Sequence, residues 1–219
     1  MKVCLSTLLD VYLTDNHKTN HSMQPQYTEK TFSLGAMNGL SEKQITEHLK
    51  LYTGYVKNVN SLLEKTGDLK KSEAENAYVL AELRRRLGFE FNGMRLHEYY
   101  FDGLGGDGSL NTKGSLGVAL TERYGSLEAW REHVTTLGKM RGIGWVITYY
   151  DPVIKTFHTA WVGDHDIGHL GGLPIISALD VWEHAFLLDY LPSERGQYIE
   201  AYFNNLRWSA LEERFASAQ

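Results

Sequence analysis

The sequence lacks the features that mark disulfide-rich secreted proteins, membrane proteins and basic nucleic-acid-binding proteins. Its one cysteine, Cys4, excludes an internal disulfide framework and is consistent with a reducing cytoplasm. No apolar run approaches the length that spans a membrane. A net charge of -5 gives no reason to expect a nucleic-acid partner. At 219 residues, the chain is long enough to bury a sizeable core in one large or two small domains.

The N-terminal region is expected to lie outside the folded part. Residues Met1 to Leu9 resemble a secretion signal, but Asp10 interrupts the apolar stretch and no small-residue cleavage site follows. We therefore expect residues 1–25 to be a disordered extension. Two domains are predicted to follow, at 26–104 and 110–219, separated by a glycine-rich segment.

The first predicted domain, 26–104, is a helical hairpin. A capping box from Ser41 to Gln44 predicts the start of a long helix over about 41–65, whose apolar repeat places His48 on the buried face. A second helix is predicted over about 72–101, with His97 near its apolar face and a kink or interruption at Gly88 or Gly93. The short polar connection predicts antiparallel packing.

The second predicted domain, 110–219, combines helices with a small sheet. Two short helices are expected at about 114–123 and 126–138. Alternating β-branched and aromatic residues then predict strands at 145–150, 155–162 and 173–178, followed by helices around 182–190 and 194–216. The predicted fold class is therefore α+β: an N-terminal antiparallel helical hairpin, then a three-stranded antiparallel sheet flanked by helices.

Two stretches carry side chains that bind metals. On a helix, Asp180 and His184 would project from one face and supply half of a metal shell, although such a pair alone is more often structural. His165-Asp166 resembles the motif of HD-domain phosphohydrolases, which bind divalent metal, or else belongs to a plain surface loop. That family places its motif in a helix, whereas here it follows a predicted strand and lies among glycines.

Several motifs in the same order resemble the iron/manganese superoxide dismutases over nearly all of residues 27–213. The most specific is Asp-Val-Trp-Glu-His-Ala at 180–185; others are Tyr55–Asn60, Phe91-Asn92 with His97, Tyr124–Glu128, Gly142–Trp145 and Arg195–Tyr198. The resemblance implies one Fe or Mn ion per chain, bound by His48, His97, Asp180 and His184. It also implies conversion of superoxide to oxygen and hydrogen peroxide by one-electron cycling of that ion.

The resemblance also implies roles for residues around the metal. Tyr55 would guard the channel and relay protons, and His165 would stand where most members have a Gln beside the metal-bound solvent. Glu183 would reach the corresponding His of a second subunit, which predicts a symmetric homodimer. Trp145, Trp182 and Tyr198 are expected around the pocket. The sequence does not distinguish iron from manganese, or a dimer from a tetramer.

The chain departs from the family pattern in its first helix. His48 precedes Tyr55 by seven residues rather than the usual eight, so we expect a bulge in the helix to turn His48 inward. This departure leaves a second hypothesis open, a catalytically inactive metal-binding protein on the same scaffold. The phosphohydrolase is the third.

Overall fold

A computed structural model describes residues 26–219, and its first half is a pair of long helices. Helix α1 spans Glu42–Leu69 and begins where the Ser41 hydroxyl accepts a hydrogen bond from the Gln44 N–H. Helix α2 spans Ala77–Asp102. The contacts of Tyr52 with Glu98 and of Asn58 with Glu90 show that the two helices are antiparallel.

Both helices are more regular than the sequence suggested. Helix α1 is α-helical throughout, so the bulge expected near His48 is wrong. Seven residues make almost two full turns of an α-helix, which places His48 and Tyr55 on one face without any change in winding. Helix α2 is likewise uninterrupted at Gly88 and Gly93, so the predicted interruption is wrong, while a kink at either glycine stays a prediction.

The second half contains the sheet. Strands β1 (Gly144–Asp151), β2 (Thr156–Gly163) and β3 (Ile175–Asp180) form an antiparallel sheet in the order β2-β1-β3. Four helices flank it: α3 (Ser115–Tyr124), α4 (Leu127–Gly138), α5 (Arg195–Asn204) and α6 (Trp208–Ala218). The predicted α+β fold class is confirmed.

The segment after β3 differs from its prediction. No helix runs over 182–190; a short 3-10 helix covers Glu183–Ala185 and turns follow. The backbone stays extended past Asp180 because Val181 N–H donates to the Gly144 carbonyl. The Asp180 carboxylate then accepts the Trp182 N–H at 2.8 Å, which makes the side chain part of the turn.

The predicted helix at 194–216 is two helices, with a break at 205–207. There Arg207 N–H donates to the Gly103 carbonyl at 2.7 Å and Leu206 bridges to Leu104. This pairing ties the glycine-rich segment to the C-terminal helices. The division into domains at 26–104 and 110–219 stays a prediction, and the expected disorder of residues 1–25 falls outside the described residues.

One apolar core joins the hairpin to the sheet. It includes Val56 and Met94 from the two long helices and Trp145 and Leu179 from the strands, all almost fully buried. The helical hairpin therefore lies against the sheet, and residues at their contact are shielded from water. Within residues 26–219, no helix has the length and apolar character needed to cross a membrane.

Candidate metal centre

Four side chains from separate elements meet between the hairpin and the sheet: His48 of α1, His97 of α2, Asp180 at the end of β3 and His184 in the 3-10 helix. Their potential ligand atoms all lie within 4.8 Å of one another. Asp180 Oδ2 lies 3.1 Å from His48 Nε2, 3.3 Å from His184 Nε2 and 3.7 Å from His97 Nε2. The structure thus brings together every residue that the sequence suggested as a ligand.

The spacing and the state of the donor atoms fit a metal ion. Two atoms that each bind one ion at about 2.1 Å are roughly 3 to 4 Å apart. His97 Nδ1 donates to the Gly93 carbonyl at 2.6 Å, so in the neutral ring Nε2 presents its lone pair. Nε2 of His97 and of His184 are buried without a hydrogen-bond partner, which is costly unless something binds there. The cluster could bind one metal ion.

The electrostatics of the cluster also suit a cation. Burial lowers the pKa of His48, despite the opposing effect of Asp180, and holds the pKa of His97 well below its ordinary value. Both rings are therefore neutral at pH 7. Burial alone would raise the pKa of Asp180, but His184 and His48 outweigh it and hold that pKa below its usual range. The cluster therefore contains an ionised carboxylate next to the neutral imidazoles of His48 and His97.

Gln44 positions the turn that carries His184, a role that the sequence did not reveal. Its side chain is fully buried; Nε2 donates to the His184 carbonyl at 2.7 Å, and Oε1 accepts the Leu188 N–H at 3.0 Å. The capping box is therefore only half formed: the Ser41 hydroxyl accepts the Gln44 N–H, but the Gln44 side chain binds this distant turn instead of the Ser41 backbone. The positions differ by 140 residues, so no local pattern indicated the contact.

Tyr55, His165 and Trp145 form a hydrogen-bonded row beside the cluster. Trp145 Nε1–H can only donate, and it lies 2.9 Å from His165 Nδ1, which must therefore accept. Burial lowers the pKa of His165 to about 4, so the ring is neutral at pH 7 and carries its proton on Nε2. Nε2–H then donates to the Tyr55 hydroxyl oxygen at 2.6 Å. The proton of Tyr55 is left free for another acceptor.

Trp182 and Tyr198 surround the cluster on other sides. The Trp182 ring is stacked on both His165 and His184, with centroids 4.9 and 5.5 Å away. The buried Tyr198 hydroxyl donates to the Asp180 carbonyl at 2.7 Å and so fixes the backbone of that residue.

His165 and Asp166 lie in a loop after β2 and do not occupy a helix. His165 is buried and its ring nitrogens contact Tyr55 and Trp145, whereas Asp166 is exposed. Neither residue belongs to the four-residue cluster. The phosphohydrolase hypothesis therefore lacks the helical pair of ligands that it requires.

Gly93 sets the position of Tyr55. A Cβ atom at this point of α2 would lie 2.6 Å from Tyr55 Cδ1, whereas one at Gly88 would meet nothing within 4 Å. Gly93→Ala is expected to displace the Tyr55 ring and lower the free energy of unfolding by about 1–3 kcal/mol. Gly88→Ala, the control in the same helix, should raise it by about 0.5–1 kcal/mol. Urea denaturation of both variants measures the difference, and equal effects would contradict this account of Gly93.

Comparison with known proteins gives a consistent family. Residues 112–214 match the model of the iron/manganese superoxide dismutase C-terminal domain. An iron superoxide dismutase of Cupriavidus metallidurans is 36% identical over 185 residues, which cover 83% of this chain and 91% of the relative. An iron superoxide dismutase of Pyrobaculum aerophilum is 30% identical, and the match covers 78% of this chain and 81% of the relative. A manganese superoxide dismutase of Mycolicibacterium paratuberculosis is 31% identical, with 80% and 84% covered.

Proposed function

Because the chain belongs to the iron/manganese superoxide dismutase family, we propose that it converts two superoxide ions and two protons to oxygen and hydrogen peroxide. His48, His97, Asp180 and His184 would hold one Fe or Mn ion per chain. The observation that carries the proposal is the buried cluster of three imidazoles and one carboxylate, in which one ring nitrogen of each histidine has no hydrogen-bond partner.

The protein's own groups would control geometry and protons. When bound, the metal ion supplies the one-electron redox chemistry. His97 and His48 are neutral and buried, so they offer lone pairs without adding charge to the site. Tyr55 accepts from His165 Nε2–H and keeps its own proton available for a reduced product. Trp145 and Trp182 pack against the imidazoles and restrict the space around them.

The direct test is to load the purified protein with iron and with manganese in separate preparations. We expect about one ion per chain and, with at least one metal, superoxide consumption well above the spontaneous rate. A protein that binds one ion per chain and leaves superoxide decay unchanged with either metal would instead support the inactive metal-binding hypothesis.

Tyr55→Phe tests the proton role. The variant removes the hydroxyl and leaves His165 Nε2–H without its acceptor, while the cluster keeps all its ligand atoms. We expect metal content to stay the same and turnover at saturating superoxide to fall roughly tenfold. This loss is smaller than the loss on removing many other general acids, because water can also supply protons to the product. Tyr124→Phe, which removes a hydroxyl bonded to Thr159, should leave turnover unchanged. Equal turnover of wild type and Tyr55→Phe would remove Tyr55 from the mechanism.

We also propose a symmetric homodimer in the cytoplasm. Glu183 is exposed beside His184, and Leu187, Leu188 and Leu191 nearby in sequence expose 43%, 50% and 64% of their surface. Exposed apolar side chains of this kind favour a partner surface, and Glu183 would contact His184 of the partner subunit. Light scattering should give twice the chain mass; a monomer at micromolar concentration would contradict the dimer.

The proposed cytoplasmic location rests on the single cysteine, and cell fractionation tests it.

A further inference from the structure

Tyr149 and His169 form a second hydrogen-bonded row, which the proposed chemistry does not use. The Tyr149 hydroxyl on β1 lies 2.8 Å from His169 Nδ1, and His169 Nε2 lies 2.9 Å from the backbone carbonyl of His165. A carbonyl only accepts, so His169 Nε2 carries a proton, and in the tautomer with its single proton on Nε2 the Nδ1 atom accepts from Tyr149. Burial raises the pKa of Tyr149 to about 12, so its hydroxyl keeps its proton at neutral pH.

Apart from the buried His165 side chain, the loop of residues 164–168 has little packing of its own. Asp166, Ile167 and Gly168 are exposed, and Asp164 has a φ of +49°, which side-chain-bearing residues seldom adopt. Its ends are joined by paired backbone hydrogen bonds between Gly163 and Ile167.

Two side chains from outside the loop hold successive carbonyls within it. Trp182 Nε1–H donates to the Asp164 carbonyl at 3.1 Å, and His169 Nε2–H donates to that of His165. These two donors therefore help to fix the position of the His165 backbone, together with the Gly163–Ile167 hydrogen bonds.

We propose that His169, oriented by Tyr149, is a positioning residue that keeps the His165 ring in hydrogen-bond contact with Tyr55 and Trp145. The inference rests on the proposed function, because it concerns a residue that would tune the same site. The bond from His165 Nε2 to Tyr55 is 2.6 Å long, and a shift of the loop by about 1 Å would break it. His169 thus acts on Tyr55 through His165 and touches neither the cluster nor the substrate.

The test observes the His165 Nε2–H proton directly. Full-length protein with ¹⁵N-labelled histidine is loaded with Zn²⁺, a diamagnetic ion that accepts imidazole and carboxylate ligands. In His169→Ala we expect this proton to exchange with water about fivefold faster or more, the effect of losing one hydrogen bond. His169→Gln keeps a donor at the same reach and should restore most of the protection. Tyr149→Phe should give a smaller increase, and Tyr124→Phe, the matched loss of a hydroxyl elsewhere, none.

A wild-type exchange rate in both His169→Ala and Tyr149→Phe would overturn the proposal. If His169→Ala does not fold, unchanged exchange in Tyr149→Phe is sufficient to overturn it. In the manganese- or iron-loaded protein, His169→Ala should lower kcat about fivefold with little change in KM, and His169→Gln should recover it. Because the exchange measurement needs no turnover, faster exchange in a protein that consumes no superoxide would support the positioning role and count only against the proposed function.

Discussion

Asp180→Asn is expected to weaken metal binding about a thousandfold, because it removes the one ionised group that faces the cation in the cluster. Even two unit charges about 4 Å apart at an effective dielectric of about 20 attract by roughly 4 kcal/mol, which corresponds to that factor, and a coordinating Asp180 oxygen would lie closer to the ion than this. The amide has the same shape as the carboxylate, so the surrounding packing is preserved. Metal analysis after purification, followed by titration with Mn²⁺, measures the effect; superoxide consumption should fall in proportion to bound metal.

The same variant should behave differently without metal. Asp180 is fully buried, and a neutral amide is cheaper to bury than a carboxylate, so the metal-free variant should be about as stable as the metal-free wild type. Wild type should gain stability on adding metal, whereas Asp180→Asn should not. Asp102→Asn is the control, since Asp102 is half exposed and paired with Arg207 and Arg214. A control that also lost its metal would show that the effect is not specific to Asp180.

His165→Ala is expected to lower superoxide turnover by about 10- to 100-fold while leaving close to one metal ion per chain. The ring of His165 binds Tyr55 and Trp145 and supplies no atom to the four-residue cluster. Its removal leaves the Trp145 Nε1–H buried without a partner and releases Tyr55 from its fixed orientation. Parallel measurement of metal content and turnover separates the two effects.

His165→Gln and Asp166→Asn are the matched controls. A Gln side chain has both an acceptor and a donor, so it should retain more turnover than Ala. Asp166 is the exposed neighbour of His165, and Asp166→Asn should keep wild-type turnover. Loss of metal in His165→Ala would make His165 a ligand, contrary to the assignment. If the wild-type protein hydrolysed a phosphoester and Asp166→Asn did not, the result would support the phosphohydrolase hypothesis.

The parts of the fold that follow from local periodicity could be predicted from the sequence. The apolar repeats of α1 and α2 and the alternation in β1 and β2 predicted those elements to within a few residues. Because the same repeats define buried faces, they also placed His48 and His97 where distant residues could reach them. The family resemblance then supplied the candidate grouping with Asp180 and His184, which periodicity alone left open.

The parts that depend on contacts between distant residues could not be predicted. The chain after Asp180 looked helical because its apolar spacing is ambiguous, but pairing of Val181 with Gly144 keeps it extended. Gln44 looked like a simple cap residue, yet its amide is used by a turn 140 positions away. The bulge in α1 was expected because other members of the family separate the two corresponding residues by eight positions. In this chain His48 and Tyr55 are seven positions apart, and two ordinary helical turns place them on one face.

The position of the cluster between the hairpin and the sheet has a consequence for how the ion would enter. His48, His97 and Asp180 expose none of their side-chain surface, and their elements are parts of one continuous core. An ion from solution can reach all three only if the hairpin and the sheet separate briefly. Uptake by the folded, metal-free protein should therefore be limited by this opening and should accelerate steeply with temperature, as unfolding rates do. Once bound, the ion would link residues 132 positions apart and oppose the same opening.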